Sequence, residues 1–322
     1  MEARACTAGP PACYHGLSAP AHCLSPDSQR ISLPRDDPNR IRFLPRPTSH
    51  VRSVTLADSG RLTTETLDPS AQRWVDLVEL TVAESKHPAW SRAIDVRELR
   101  APAAPLLHEA TLRLNATSAS ELVMRLAGAL GIATMKRIEP LSLILMGVER
   151  DDETLDALAG RLAVPADTVA VLAQLCSLPL LLNASTVLDS DASRTWQRGY
   201  CPVCGAWPSI AEMRGIQRER RMRCGCCGSD WLLPVLRCAF CDETDHQKLG
   251  FLLNEEGAQH IRVETCSTCR GYVKTLTTLG RLPFTTLAMK DVSTIAYDLA
   301  AQDRGYSRPS RPGFQVHVEI VQ

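Results

Sequence analysis

The sequence has no excess of charge of either sign, no long uninterrupted apolar run, and none of the short motifs that mark phosphate, dinucleotide or serine-nucleophile chemistry. Lysine plus arginine number 36 and aspartate plus glutamate number 36. No whole-chain field therefore draws the protein to nucleic acid, an anionic membrane or a polyanionic substrate, and such a partner would need a local patch. The longest apolar stretch, around Leu178 to Leu188, contains Pro179 and Asn183 and falls short of the roughly 20 residues of a membrane helix. No membrane span is expected, and the reading is a soluble protein. Met1 to Pro47 has no continuous apolar segment after a basic start, so it does not read as a signal peptide. The expected location is the cytoplasm, where thiols stay reduced and free to act as ligands. The missing phosphate loop, dinucleotide fingerprint and nucleophile elbow leave no catalytic residue and no organic cofactor site to assign.

A chain of 322 residues exceeds the size at which a single core usually stops growing, about 250 residues. Residues 1–60 show no sustained period and are broken by prolines from Pro10 to Pro47, which predicts a disordered extension. Its Cys6, Cys13 and Cys23 match no ligand spacing and read as unpaired thiols. Residues 61–195 read as an all-helical domain. Asp68 can cap and Pro69 suits a first turn, and Trp74, Leu77, Val78 and Thr81 then follow at helical spacing until His87 and Pro88. A second start stands at Ser118, with Glu121 completing a capping box and Gly131 stopping the helix. Further helices are expected from Asp152 to Leu162 and from Asp167 to Leu178. From Gly199 the chain turns to short segments with strand-like runs at Trp231–Leu236 and His260–Val263. These divide into two small modules, 196–236 and 237–283. Residues 284–322 hold a C-terminal helix capped by Asp291, then a polar, proline-broken tail from Gly305. The predicted fold class is multi-domain α+β, a helical domain followed by two small zinc-ribbon-like metal modules and a C-terminal helix.

Of thirteen cysteines, nine lie between residues 201 and 269. Eight of them form pairs separated by two residues: Cys201/Cys204, Cys224/Cys227, Cys238/Cys241 and Cys266/Cys269. Two thiolates at that spacing grip one metal from a tight turn, and a second turn completes a tetrahedron. Pairing in sequence order closes each cage locally at little loop entropy and is the economical assignment, with interleaved pairing as the alternative. Glycine after the second cysteine lets the backbone take positive φ, a role for Gly205 and Gly228, whereas Asp242 and Arg270 stand there in the second site. Four thiolates leave no open position for hydrolytic chemistry, and the cage suits iron or zinc.

Cys226 is an extra thiol inside the second knuckle and reads as a bystander, and Cys176 as buried core. The Arg214–Arg223 stretch, with Arg218, Arg220, Arg221 and Arg223, could contact phosphate, which gives the alternative of a nucleic-acid-binding zinc ribbon. A solvated hairpin edge is the plainer reading. His246 and His260 are poor ligand candidates because thiolates already complete both cages.

Gly-Tyr-Cys-Pro-Val-Cys-Gly from residue 199, Arg-Cys-Gly-Cys-Cys-Gly-Ser-Asp-Trp from 223, Cys238-Ala-Phe-Cys241, Glu264-Thr-Cys-Ser-Thr-Cys269 and Gly-Tyr-Ser-Arg at 305–308 together resemble the formate dehydrogenase accessory protein family, FdhE. The resemblance runs from about 196 to 309. It implies two rubredoxin-like modules with iron at both sites, held by the eight paired cysteines. It also implies a cytoplasmic, chaperone-like role without turnover, assisting maturation of a molybdenum- or tungsten-dependent formate dehydrogenase by binding its catalytic subunit. A homodimer is compatible with this reading. Cys226 stands where the family usually has an apolar residue.

Overall fold

The computed structural model describes residues 69–95, 104–132, 139–187, 190–253, 260–311, 313 and 316–321. The extension expected over residues 1–60, with its three cysteines, lies outside them, as does the Asp68 cap. All described residues belong to one unit, Pro38–Gln322.

The helical part begins with α1 (Pro69–Glu84), whose first residue is the proline that suits a first turn. His87 caps α2 (Pro88–Ser91) by accepting from the Ala89 amide. β1 (Ile94–Asp95), α3 (Leu106–Glu109) and β2 (Thr111–Asn115) follow. Next come α4 (Ala116–Ala129), α5 (Pro140–Glu149), α6 (Asp152–Leu162), α7 (Ala166–Val187) and α8 (Ser190–Thr195). α4 starts earlier than the sequence pattern suggested. Asn115 Oδ1, not Ser118, caps α4 by accepting from the Ser118 amide at 2.9 Å. α6 spans Asp152–Leu162 as expected, capped by Asp151, whose Oδ1 accepts from the Thr154 amide at 3.1 Å. Gly131 stops α4 as expected, at φ 75. The domain is not purely helical, because β1 pairs antiparallel with β2.

α7 is longer than the sequence reading placed it, since it continues through Pro179 to Val187. An interior proline removes one helical hydrogen bond and costs about 3 kcal/mol. The surrounding Leu172, Leu175, Leu178, Leu180 and Leu181 are all buried, and that apolar burial offsets the loss. By length and composition alone α7 could cross a membrane, but most of it lies inside the fold, packed on α1, α4, α5 and α6.

The cysteine-rich part builds one six-stranded sheet from β3 (Ile210–Arg214), β4 (Glu219–Arg223), β5 (Asp230–Leu232), β6 (Leu249–Leu252), β7 (Ile261–Cys266) and β8 (Tyr272–Thr278), in the order β5-β4-β3-β8-β7-β6. The two hairpin modules are joined by parallel pairing of β3 with β8, from Ile210 opposite Lys274 to Arg214 opposite Thr278. α9 (Phe284–Ser293) and α10 (Ile295–Gln302) follow. Asp291 therefore does not start a helix. It lies within α9, and its carboxylate pairs with Lys274 Nζ at 2.7 Å.

The expected irregular tail ends in β9 (His317–Val321), which lies parallel to β2 with Thr111 opposite His317 and Asn115 opposite Val321. An Arg113–Glu319 ion pair at 3.0 Å reinforces that pairing. The main hydrophobic core runs without a break from the helical leucines to Cys201, Cys204, Cys224 and Cys227. Two small clusters, around Ile210 and Leu276 and around Leu252 and Val263, serve the rest of the sheet.

Candidate metal centres

Four turns repeat one hydrogen-bond pattern. The amide of the first cysteine donates to the carbonyl five residues on: Cys201 to Ala206 (2.8 Å), Cys224 to Ser229 (3.0 Å), Cys238 to Glu243 (2.8 Å) and Cys266 to Gly271 (3.0 Å). The residue after the second cysteine is left-handed in every case, with φ of 71 at Gly205, 71 at Gly228, 60 at Asp242 and 59 at Arg270. The knuckle geometry thus persists where glycine is absent, at a cost of roughly 1–2 kcal/mol for each side-chain-bearing residue. At Arg270 that cost is offset by its guanidinium stacking 4.1 Å above the Tyr306 ring and donating to the Gly305 carbonyl at 3.2 Å.

The turns bring the eight sulfurs into two groups, Cys201, Cys204, Cys224 and Cys227, and Cys238, Cys241, Cys266 and Cys269, each with all sulfurs within 4.8 Å of one another. In the first group Cys201 Sγ lies 3.4 Å from Cys227 Sγ, and Cys204 Sγ lies 3.5 Å from Cys224 Sγ. In the second, Cys238–Cys269 and Cys241–Cys266 are each 3.7 Å apart. A tetrahedron with metal–sulfur bonds of about 2.3 Å has edges of about 3.8 Å, so both groups are sized for one tetrahedral ion. Amides of Val203, Cys226, Phe240 and Gly271 each approach a cysteine sulfur at 3.4 Å, and such donors stabilise negative charge on sulfur.

The groups differ in their surroundings. All four cysteines of the first are buried, whereas Cys241 and Cys269 of the second are exposed. The helical part grips the first knuckle directly: amides of Leu106 and Leu107 donate to the Pro202 and Val203 carbonyls at 2.8 and 3.0 Å. Arg150, at the end of α5, donates to the Cys204 carbonyl at 3.1 Å, and Arg311, in the tail, donates to the Gly205 carbonyl at 2.9 Å. The Ser229 hydroxyl lies 2.9 Å from Cys201 Sγ and 3.2 Å from Cys227 Sγ. Ser229 was not singled out from the sequence, although it directly follows the Gly228 that was. Arg150 and Arg311 had no local signal, because their target is distant in sequence.

Among the described residues, His246 and His260 join neither group. Cys176 is core, and burial pushes its thiol up. The arginine stretch is largely consumed within the protein. Arg214 and Arg221 meet Asp230 at 3.0 and 2.8 Å, Arg220 meets Glu264 at 2.7 Å, and Arg223 meets the fully buried Glu212 and the Leu282 carbonyl. Burial alone would raise the Asp230 carboxyl, but Arg221, Arg214 and Arg281 hold it below its ordinary value. Of the arginines in this stretch only Arg218, at a turn with φ 52, is exposed.

Residues 236–314, which include the second cage, match the family model described as FdhE, C-terminal domain. The chain is 29% identical over 136 residues to the protein FdhE homolog of Aquifex aeolicus (strain VF5), covering 41% of this chain and 47% of that protein. It is 34% identical over 122 residues to the FdhE homolog of Stutzerimonas stutzeri (strain A1501), covering 37% and 39%. With protein FdhE of Escherichia coli O127:H6 it shares 30% over 116 residues, covering 35% and 37%. The chain therefore spans less than half the length of the curated relatives it matches. The crystal structure of the FdhE protein from Pseudomonas aeruginosa superposes at a TM-score of 0.46 and 20% identity, over 75% of this chain and 92% of that one. The resemblance to FdhE that the cysteine pairs pointed to is real, and it is carried by the C-terminal part of the chain.

Proposed function

We propose that this chain is a non-catalytic accessory protein that assists maturation of a molybdenum- or tungsten-dependent formate dehydrogenase in the cytoplasm by binding its catalytic subunit. The eight paired cysteines hold one metal per cage, iron at both. The observation that carries this reading is the second four-cysteine group lying within the stretch that matches the FdhE C-terminal domain, on the same sheet as the first group.

The donor set supports a binding role over turnover. Each cage spends four thiolates on one ion and leaves no coordination position for a substrate. The amides aimed at sulfur and the buried surroundings of the first cage favour a retained ion. Tetrahedral thiolate suits iron and zinc alike, and iron is taken from the resemblance to FdhE. The internal pairing of the arginines withdraws the patch on which a nucleic-acid ribbon would depend.

The test has two readouts on full-length protein purified without oxygen. Elemental analysis should give two irons per chain, with thiolate-to-iron absorption. Co-expression with the catalytic subunit of a formate dehydrogenase from the same host should yield a complex that survives affinity capture. Two zincs after expression in iron-replete medium would overturn the iron assignment, and no capture of the subunit would overturn the accessory role.

A further inference from the structure

The two faces of the six-stranded sheet are covered unequally. On one face α9 and α10 lie over both modules, with Leu287 clustered on Ile210, Ile261 and Leu276, and Ala301 on Leu252, Val263 and Tyr272. On the other, Trp231, Met222, Ala211 and Val273 join the main core with the helical leucines. That cover stops short of the last two strands. The register sets Arg262 opposite Thr275, Glu264 opposite Val273 and Phe251 opposite Glu264, so Arg262, Glu264 and Phe251 belong to this second face. A cavity of about 170 Å³ lies there, between β6, β7 and the Val235–Phe240 segment. Its rim is apolar and open to solvent, with Val235 48%, Leu236 60% and Phe251 50% exposed.

Beneath the apolar rim the cavity carries net positive charge. Glu264 is shared between Arg220, at 2.7 Å, and Arg262, at 2.8 Å, so two guanidiniums stand against one carboxylate. At the rim Arg237 is balanced by Asp242 at 2.9 Å. Arg220 is buried and donates to the Pro234 and Arg237 carbonyls, yet its Nε has no acceptor among the described residues, a costly state for a buried donor. β6 is the last strand of the sheet, and its outer edge offers backbone donors and acceptors that no strand among the described residues pairs with.

We propose that this open face is where the client enzyme docks, through an extended segment that carries an acidic side chain between apolar ones. The apolar side chains cover Val235, Leu236 and Phe251, the carboxylate answers the uncompensated charge of Arg220 and Arg262, and the segment's backbone pairs with the outer edge of β6. A basic segment is repelled by the same charge, and a wholly apolar one would seal it in without a counter-charge. Cys238 and Cys266 line the same cavity, so the second cage fixes one wall of the docking face without its metal touching the client. The inference rests on the client-binding part of the proposed function and names the surface that performs it.

Capture of the co-expressed catalytic subunit by the full, metal-loaded chain tests it. L236E, F251E and R262E should each lower capture about tenfold or more, with metal content and urea midpoint as in the wild type. I216E and L279E, at positions 99% and 94% exposed and outside the cavity, should capture normally. R262Q, which removes the charge without reversing it, serves as the milder variant should R262E lose stability. Overlapping 15-residue peptides of the captured subunit supply the second readout. Those that bind should carry Asp or Glu between apolar residues, and replacing that residue with Asn or Gln should abolish binding. Cavity variants that capture as well as the wild type, an equal loss in I216E and L279E, or binding by neutral or basic peptides would overturn this inference alone. A wild-type chain that captures no subunit overturns the accessory role itself, and the docking face with it.

Discussion

Gly199 and Gly160 are both glycines in the described fold, yet only one is required by its neighbours. A Cβ on Gly199 would stand 1.7 Å from the Ala239 carbonyl oxygen and 2.6 Å from its carbon, whereas a Cβ on Gly160, in α6, meets nothing within 4 Å. The Ala239 atoms are backbone and cannot swing aside, so Gly199→Ala must part the approach to the first knuckle from the second. It should lower stability by about 1–3 kcal/mol or more. Gly160→Ala should raise it by about 0.5–1 kcal/mol, since alanine is the better helix former. Denaturant midpoints of the two variants should shift in opposite directions, and a shared direction would refute the assignment of Gly199 to a close packing contact. At this scale the sequence was readable where a residue answers to its own turn. Gly205 and Gly228 take the positive φ expected of them. Gly199 answers instead to a residue 40 positions away, and no local pattern announces that.

Elements were readable where their pattern is local. α1, α4, α6 and α7 lie where the 3.6-residue spacing put them, and the start of α4 is displaced because Asn115, just upstream, offered the better cap. β9 was missed because Val316, Val318 and Ile320 alternate for only five residues after several prolines, and its partner β2 is about 200 positions away. The C-terminal helix was read from an Asp291 cap, which caught α10 and missed most of α9. The Asp291 carboxylate is committed to the sheet: fully buried Lys274 Nζ meets Asp291 at 2.7 Å and Asp298 at 2.6 Å, and Arg308 meets the same two carboxylates at 3.0 and 2.8 Å. Lys274→Met leaves two sheltered carboxylates short of a cation and should cost about 3–5 kcal/mol. Burial would raise the Asp291 carboxyl, but Arg308 and Lys274 outweigh it and hold the group below its ordinary value. A carboxyl depressed in the folded state contributes stability above its unfolded value, near 4, and that contribution is lost as pH falls through the folded value. Wild-type urea midpoints should therefore fall below about pH 4, and in K274M that decline should be shallower, because without Lys274 the folded-state carboxyl is held less far below its unfolded value. Parallel pH profiles for the two proteins would show that Lys274 does not set this titration.

Across the whole molecule the two cages are alike in their turns and unlike in what surrounds them. The order of the eight cysteines gave the pairing, because each cage closes over a short stretch. It could not tell that one cage would join the main core and the other would not. That depends on which face of the shared sheet the helices cover, and the parallel β3–β8 pairing and the β2–β9 strap that settle it are both non-local. Aromatic rings bridge the two environments: Trp196, Tyr200, Trp207 and Phe240 form a chain of edge-to-face contacts with centroids 5.4–6.0 Å apart, ending beside Cys241 of the second cage. If both cages hold metal, their release should separate. A chelator can approach the second cage at Cys241 and Cys269, which are exposed, without any opening of the fold. The first cage is sealed by Leu106, Leu107, Arg150 and Arg311, so its metal leaves only when the helical part parts from the knuckle, a sub-global opening. Release into a chromogenic chelator should show two phases of equal amplitude, with rates separated on the order of tenfold or more. Arg311→Ala removes the Gly205 hydrogen bond and the stacking on Tyr200 at 4.0 Å, and should accelerate the slow phase alone. A single phase, or acceleration of the fast phase instead, would mean that burial in this fold does not govern how each cage holds its ion.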